Sequence, residues 1–493
     1  MAAAPKKPVN QWKTLDKDLK RIGRLEEATM FVSRPLIAPG IALAFIVLAG
    51  IAATLLMGSY PVNFIVVAAA VIGAYMALNI GANDVANNMG PAVGANALTL
   101  GGALIIAAIF ETAGALIAGG DVVKTVAKGI IDPSAVSDAA HFVWAMMSAL
   151  LAAALWLNLA TWLGAPVSTT HSIVGGVVGA GIVAAGFGAV DWAGLGTIAA
   201  SWVISPVLGG VIAAAFLALI KTKIIYVDDK IAAARKWVPI LIGIMAGAFA
   251  AYLALKGLKQ LIKISMLHAV IIGIVVGVAA WAVSVPMIRK QSEGMENRKK
   301  SLKALFSMPL VVSAALLSFA HGANDVANAV GPLAAIVHTI EAGDIAEKVN
   351  IPLWVMLTGA VGISVGLLLF GPKLIRMVGS QITKLNPMRA YCVALSAAIT
   401  VIVASWLGLP VSSTHIAVGG IFGVGFYREW HAERRARQLG LQKGKVVPPE
   451  ERKRRLLVRR SHMLTVAAAW VITVPASAAL AAVLYLILNA VAG

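Results

Sequence analysis

The sequence predicts an all-α polytopic membrane protein with about 12–13 transmembrane segments, arranged as inverted-topology repeats with broken helices and re-entrant hairpins. Three observations carry this expectation. Of 493 residues, 59% are hydrophobic and 13% charged, and the mean hydropathy is +0.86. Apolar stretches of about 20 residues, the length a helix needs to cross a bilayer core, recur along the whole chain. The same polar sequence occurs twice at the end of such a stretch: Gly81 to Pro91 reads GANDVANNMGP, and Gly322 to Pro332 reads GANDVANAVGP. A β-barrel would show alternating segments of about 10 residues instead.

The spans fall near 36–58, 62–80, 101–119, 142–163, 171–189, 194–220, 238–257, 264–287, 303–321, 351–371, 388–408, 411–427 and 463–490. Residues 1–34 are polar and mixed in charge, and span 36–58 is too long for a cleaved leader, so no signal peptide is expected. Spans 62–80 and 303–321 each run into a GANDVAN motif. Spans 142–163 and 388–408 each run into a second repeated motif: Trp162 to His171 reads WLGAPVSTTH, and Trp406 to His415 reads WLGLPVSSTH. The GANDVAN copies lie 241 residues apart (Gly81 to Gly322) and the WLG copies 244 apart (Trp162 to Trp406), which argues for duplication. Segments 83–95, 324–336 and the PVS(S/T)TH pieces are candidates for re-entrant or broken helix.

Charge sets the orientation. The net charge of +19 comes from 41 Lys and Arg against 22 Asp and Glu, and it sits in short segments between apolar runs. That is the pattern of the positive-inside rule rather than of a nucleic-acid surface. With the basic N-terminus in the cytoplasm, segments 221–237, 288–303, 372–387 and 428–462 fall inside, and segments 119–141 and 337–350 outside. Only Lys256, Lys259 and Lys263 land on the wrong side. The expected layout is a basic cytoplasmic segment 1–35, an extra transmembrane helix 36–58 and a first repeat 59–222. A linker with two transmembrane helices, 223–302, leads to a second repeat, 303–493, with a basic cytoplasmic loop 428–462. The first repeat starts outside and the second inside, the inverted arrangement that places a binding site near the bilayer midplane.

The motifs carry the chemistry. An Asp within hydrocarbon costs about +2.5 to +3.5 kcal/mol on insertion scales, so an intramembrane acid is by default a functional-site hypothesis. Asn83, Asp84 and Asn87, with Asn324, Asp325 and Asn328 as counterparts, offer hard oxygen ligands suited to a small cation, Na+ or a coupling proton. The flanking Gly and Pro favour interrupted helices with freed carbonyls. In PVS(S/T)TH, a Pro followed by hydroxyls marks a helix N-terminus, which binds anions through free N–H groups and the helix dipole. Ser168, Thr169, Thr170, Ser412, Ser413 and Thr414 are therefore the candidate anion-binding residues. A carboxylate beside an anion repels it unless a cation sits between them, which is the logic of symport. Glu111, mid-span, is a further candidate for cation binding or support. His171 and His415 suit capping or support better than proton transfer, and His321 precedes only the second GANDVAN, so symmetry does not favour it. The twelve Trp read as interfacial anchors.

Two GANDVAN copies, each followed by PVS(S/T)TH, resemble the inorganic phosphate transporter family, the cation-coupled phosphate permeases, over most of residues 60–490. The chain departs from it in its extra N-terminal span, in lacking the family's large central hydrophilic loop, and in the NMGP ending of the first motif. The resemblance implies a secondary transporter importing inorganic phosphate with Na+ or H+ across the plasma membrane, the inner membrane of a bacterium, as a multi-pass protein with a cytoplasmic N-terminus. It also implies that Glu111 matches a family acid on the same helix. The alternatives are a permease for sulfate or another tetrahedral oxyanion, and an ion channel. No enzyme activity, no bound cofactor beyond the co-transported ion and no nucleic acid partner are expected, and a homodimer is the candidate assembly. The single Cys392 rules out an internal disulfide, and no P-loop motif is present.

Overall fold

The computed structural model describes residues 36–56, 64–132, 135–136, 138–163, 167–256, 265–342, 351–381, 385–438 and 460–492. Each span expected from hydropathy is a helix. In chain order these are α1 (Leu36–Leu56), α2 (Phe64–Gly94), α3 (Leu100–Ala118), α4 (Gly120–Lys128), α5 (Ala139–Leu163), α6 (Thr169–Ala185), α7 (Trp192–Ile220) and α8 (Lys230–Lys256). There follow α9 (Met266–Gln291), α10 (Ser301–Leu305), α11 (Ser307–Asp325), α12 (Ala327–Ala342), α13 (Leu353–Gln381), α14 (Pro387–Trp406), α15 (Ser413–Gln438) and α16 (Arg460–Ala492). Among the described residues the extended structure is a lone bridge between Ile131 and Val190. Among the described residues eleven helical stretches are long and apolar enough to cross a membrane, the α10–α12 run Ser301–Ala342 counting as one. The two expected spans outside that set, α6 (17 residues) and α15, are the helices that begin at the two PVS(S/T)TH motifs.

Three local expectations change. The first GANDVAN does not interrupt its helix: α2 runs unbroken from Phe64 to Gly94. The second does: α11 stops at Asp325, Val326 forms a turn, and α12 restarts at Ala327. What both copies share is a proline four residues after the second Asn, Pro91 and Pro332. A proline has no N–H to give, so the carbonyls of Asn87 and Asn328 lose their i+4 donor without any unwinding. Segment 119–141 holds the short helix α4, and residues 428–438 of the expected basic loop continue α15. The rest of that loop, 439–459, lies outside the described residues, as do the N-terminal segment 1–35 and the lysines Lys259 and Lys263. Lys256, misplaced by the charge rule, is accounted for: it pairs with Asp121 and donates to the Trp406 carbonyl (3.4 Å).

The halves interlock. α2 packs on α13 and α11 on α3, while α6 packs on α16 and α15 on α7. Each contact joins the first half to the second, and the pairs are equivalents of one another. Gly81 on α2 lies against the Ile363 carbonyl on α13, and Gly322 on α11 lies against the Glu111 carbonyl on α3. Gly179 on α6 meets Ala478, and Gly423 on α15 meets Gly210. A Cβ at any of these would overlap backbone, so glycine is what lets the helices touch, as at close helix crossings in membranes generally. Equivalent residues also meet each other: Thr112 and Ser364 share a hydroxyl hydrogen bond of 2.6 Å, and the His171 and His415 rings stand edge to face at 4.5 Å. Residues that touch their own equivalents mark a pseudo-twofold axis.

Substituting Gly322 by Leu should therefore drive α11 away from α3. Overpacking of this kind costs about 1–3 kcal/mol where side chains can yield, and more against backbone. The expected result is a lower thermal midpoint in detergent, with Gly101→Leu, which has open space around it, near wild type. A stable Gly322→Leu protein would mean that the α3–α11 contact is not tight.

Candidate functional site

The hydroxyl motifs fold as helix starts. Ser168 caps α6, accepting from His171 N at 3.2 Å, and Ser412 does the same for α15 from His415 N at 3.3 Å. An N-cap hydroxyl satisfies one of the orphan donors of the first turn and leaves earlier N–H groups available. Ser168 and Ser412 thus act first as caps. The two N-termini come together: Thr170 donates to the Val411 carbonyl, 2.9 Å away, just ahead of α15. The positive ends of two helix dipoles converge there, which suits an anion.

The GANDVAN residues are brought to the same place, and the Thr414 and Asn328 pairings cross between halves. Thr414 donates to Asp84 Oδ1 (3.0 Å) and accepts from Asn87 Nδ2 (2.8 Å). Asn328 Nδ2 reaches Thr169 (3.3 Å) and Thr170 (3.2 Å). Ser413 donates to Asp325 Oδ2 at 3.0 Å. The acids are sealed in, Asp84 being 1% and Asp325 0% exposed. Asp84 Oδ2, Asp325 Oδ1 and Asn328 Oδ1 are buried yet accept no hydrogen bond. Unused lone pairs on hard, buried oxygens fit a small hard cation.

The carboxamide hydrogens of Asn83 and Asn324 go to the scaffold. Asn83 donates to Thr161 (2.9 Å). Asn324 donates to Ser405 (3.0 Å) and to the Leu409 carbonyl (3.0 Å), and accepts from Val411 N (3.1 Å). Thr161 and Ser405 are equivalents, so in each copy this Asn braces the chain that leads into the hydroxyl helix.

The residue that symmetry argued against is at the centre. His321 Nε2 lies 2.9 Å from Asp325 Oδ2 and 3.6 Å from Asp84 Oδ2, and its Nδ1 lies 3.2 Å from Glu111 Oε2. Ligand atoms of Asp84, His321 and Asp325 all fall within 4.8 Å of one another. Asn88 completes the set, donating to Glu111 Oε1 at 2.9 Å. Glu111 therefore meets the coupling acids through an imidazole. The equivalents of Asn88, Glu111 and His321 are Ala329, Ile363 and Ile80. One side of the pseudo-symmetric site is a buried polar chain, and the other side is apolar. The available sequence signal was helical spacing: His321 is four residues before Asp325 and shares its face.

The chain as a whole is similar to known proteins. A model of the phosphate transporter family matches residues 80–481. A Helicobacter pylori (strain J99) protein designated a phosphate permease is 48% identical over 433 residues, covering 87% of this chain and 81% of the relative. One from Pyrococcus abyssi, of the same designation, is 36% identical over 419 residues, 85% of this chain and 96% of the relative. A solved structure, described as the sodium-dependent phosphate transporter, superposes with a TM-score of 0.78 at 34% identity, covering 87% of this chain and 100% of that one. The protein is a polytopic helical membrane protein that belongs to the phosphate transporter family, a family of permeases and not of enzymes.

Proposed function

We propose that the protein imports inorganic phosphate by symport with Na+, using the Asp84–Asp325 cluster for the cation and the paired N-termini of α6 and α15 for the anion. The carrying observation is that the anion-binding hydroxyls are already spent on the acids: Thr414 donates to Asp84 and Ser413 to Asp325. Each hydroxyl has one hydrogen to give. While the carboxylates hold these hydrogens, the anion meets two negative charges and acceptor lone pairs. A cation on the uncommitted oxygens of Asp84, Asp325 and Asn328 takes over neutralisation of the carboxylates. The hydroxyls are then free to rotate toward phosphate, beside the unpaired N–H groups of the two helix starts. Cation binding thus builds the anion site, and by linkage phosphate raises cation affinity equally. The solved relative is sodium-dependent by name, which supports Na+ as the coupling ion. The energetics agree with more than one cation: each charge moved against 100 mV costs about 2.3 kcal/mol, so a dianion needs at least two monovalent cations.

The halves are read as inverted, with the N-terminus cytoplasmic and the protein in the bacterial inner membrane. The crosswise packing and the positive-inside pattern support this. In such an arrangement the α5–α6 and α14–α15 pairs enter from opposite faces and meet at the midplane. Their meeting point, where Thr170 bonds the Val411 carbonyl, would be the pivot between outward and inward access.

Radiolabelled phosphate uptake into proteoliposomes, with Na+ and pH gradients imposed separately and sulfate as competitor, tests this reading. Uptake driven by Na+ and spared by sulfate is expected; uptake indifferent to both gradients would point to a channel.

Asp84→Asn and Asp325→Asn should each abolish concentrative uptake while the protein remains in the membrane. Retained accumulation in both variants would remove the cation assignment.

Ser413→Ala and Thr414→Ala take away a donor shared between a carboxylate and the anion. A hydrogen bond to a charged group is worth about 1.5–3 kcal/mol, so the apparent phosphate constant should rise about tenfold or more. Thr414→Ser, which keeps the hydroxyl, should recover most of that loss. If both alanine variants keep the wild-type phosphate dependence, the hydroxyls only brace the acids.

A further inference from the structure

Cations gather at the end of α7, the first turn of α14 and the middle of α15. Lys221 follows the last residue of α7, Arg389 lies near the start of α14 and Arg428 sits in α15. All three are half-buried, whereas Lys299 and Arg435 beside them are exposed. The charge of Lys221 is opposed by those of Arg428, Arg389, Arg435 and Lys299. Aromatic rings fill the spaces between: Arg435 lies 4.6 Å and Lys299 5.7 Å from the Tyr226 ring centre, and Lys221 lies 4.9 Å from that of Tyr427. Tyr226 stacks on His431 at 5.3 Å, and Arg434 lies 5.3 Å from the Trp430 ring centre. Burial, then the fields of Lys221, Arg435 and Arg434, hold the His431 imidazole below its ordinary value. The acid whose field reaches this group is Glu429, next to Arg428 on α15.

Membrane topology does not ask for this arrangement. The positive-inside rule is met by solvated Lys and Arg scattered over loops. Here α7, α14 and α15 pack on one another and bring positions 221, 389 and 428 within reach of one another's fields, and half-burial of like charges in one another's fields is unfavourable. An anion removes that cost. Arginine forks bind phosphate oxygens in pairs, and lysine adds a point charge. Five cations exceed what the two charges of hydrogen phosphate can balance, so the complement is an anion with several phosphate charges.

We propose that Lys221, Arg389 and Arg428, rimmed by Lys299 and Arg435, form a second anion site, for a group carrying adjacent phosphates. An oligophosphate in solution and a diphosphate lipid headgroup share this chemistry. The site is separate from the transport cluster: Arg428 is fourteen residues beyond Thr414 on α15, about 21 Å at the helical rise. An anion here would tie together the ends of α7, α14 and α15, the last of which begins at Ser413 and Thr414. The inference rests on this cationic basin and not on the transport reading.

The test uses the full-length protein in nanodiscs of neutral lipid, without Na+ or phosphate. Tripolyphosphate is titrated by calorimetry. Saturable binding that weakens with salt is expected. The Arg389→Gln/Arg428→Gln double variant should bind at least tenfold more weakly. Lys299→Gln/Arg435→Gln, at the exposed rim, should lose several-fold and serves if the first pair folds poorly. Arg289→Gln/Lys290→Gln, exposed cations of α9, should bind as wild type. Repeating the titration in cardiolipin nanodiscs separates the sources: loss of the tripolyphosphate signal identifies the lipid headgroup, and its persistence identifies the free anion. Absent binding in neutral nanodiscs, or equal binding by wild type and both basin variants, overturns the proposal.

Discussion

Two carboxylates sealed inside an apolar bundle are the constraint on which the rest of this structure depends. Asp84 and Asp325 are almost wholly removed from solvent, and Glu111 lies beside them at 0% exposure. Burying an unpaired charge is among the costliest things a fold can do. The protein answers with a surrounding of donors: a hydroxyl to each Asp, an imidazole between the acids, and a carboxamide on Glu111. The answer is incomplete by design of the donor count, since buried oxygens of both Asp residues and of Asn328 keep lone pairs without a partner. A cation is what such oxygens can accept, and the same hydroxyls are what an anion would take. In the proposed symport, stability and coupling would be two aspects of one hydrogen-bond inventory.

The scaffold that holds this cluster carries its motifs twice, and several of the contacts around the acids run from one half to the other. Asp84 of one half takes its hydroxyl from Thr414 of the other, and Asn328 returns the exchange to Thr169 and Thr170. The paired glycine contacts, Gly81 with Ile363 and Gly322 with Glu111, bring the backbones close enough for those short side chains to meet. Neither half can complete a site alone. A rotation of one set of helices against the other would have to break or remake the cross-half bonds, which in the proposed mechanism would tie substrate occupancy to conformation.

Duplication does not make the two sides equal. His321, Glu111 and Asn88 form a polar chain where the other side has Ile80, Ile363 and Ala329. The pseudo-equivalent acids therefore differ in surroundings: Asp325 sits within hydrogen-bond distance of the imidazole, and Asp84 only at its edge. Two cations entering this cluster would meet different ligand fields, which gives a physical basis for ordered binding from a nearly symmetric frame.

The sequence by itself determined the helical membrane class, a helix at each expected span and the two repeated motifs from which the candidate site is built. Hydropathy is a local property, and an acid within a 20-residue apolar run is visible without any knowledge of its neighbours. Repetition then tied GANDVAN to PVS(S/T)TH, and Ser168 and Ser412 stand at helix starts as a Pro-hydroxyl motif requires. What local pattern could not convey was pairing. Symmetry was the wrong guide to His321, because its importance comes from Glu111 on a helix far away in the chain. The first GANDVAN stays helical and the second turns at Val326, although their sequences differ only after Asn87. Asn83 and Asn324 read as ligands in sequence, and the fold adds that their Nδ2 groups donate to Thr161 and Ser405. Lys221 and Arg428 fall in segments that read as topology signals, and nothing in the sequence joined them to Arg389, whose field reaches Lys221 only because α7, α14 and α15 pack on one another. Only the tertiary structure decided these matters, because hydrogen bonds and like-charge contacts depend on which helices lie side by side, and that is set by the glycine crossings rather than by any one segment's composition.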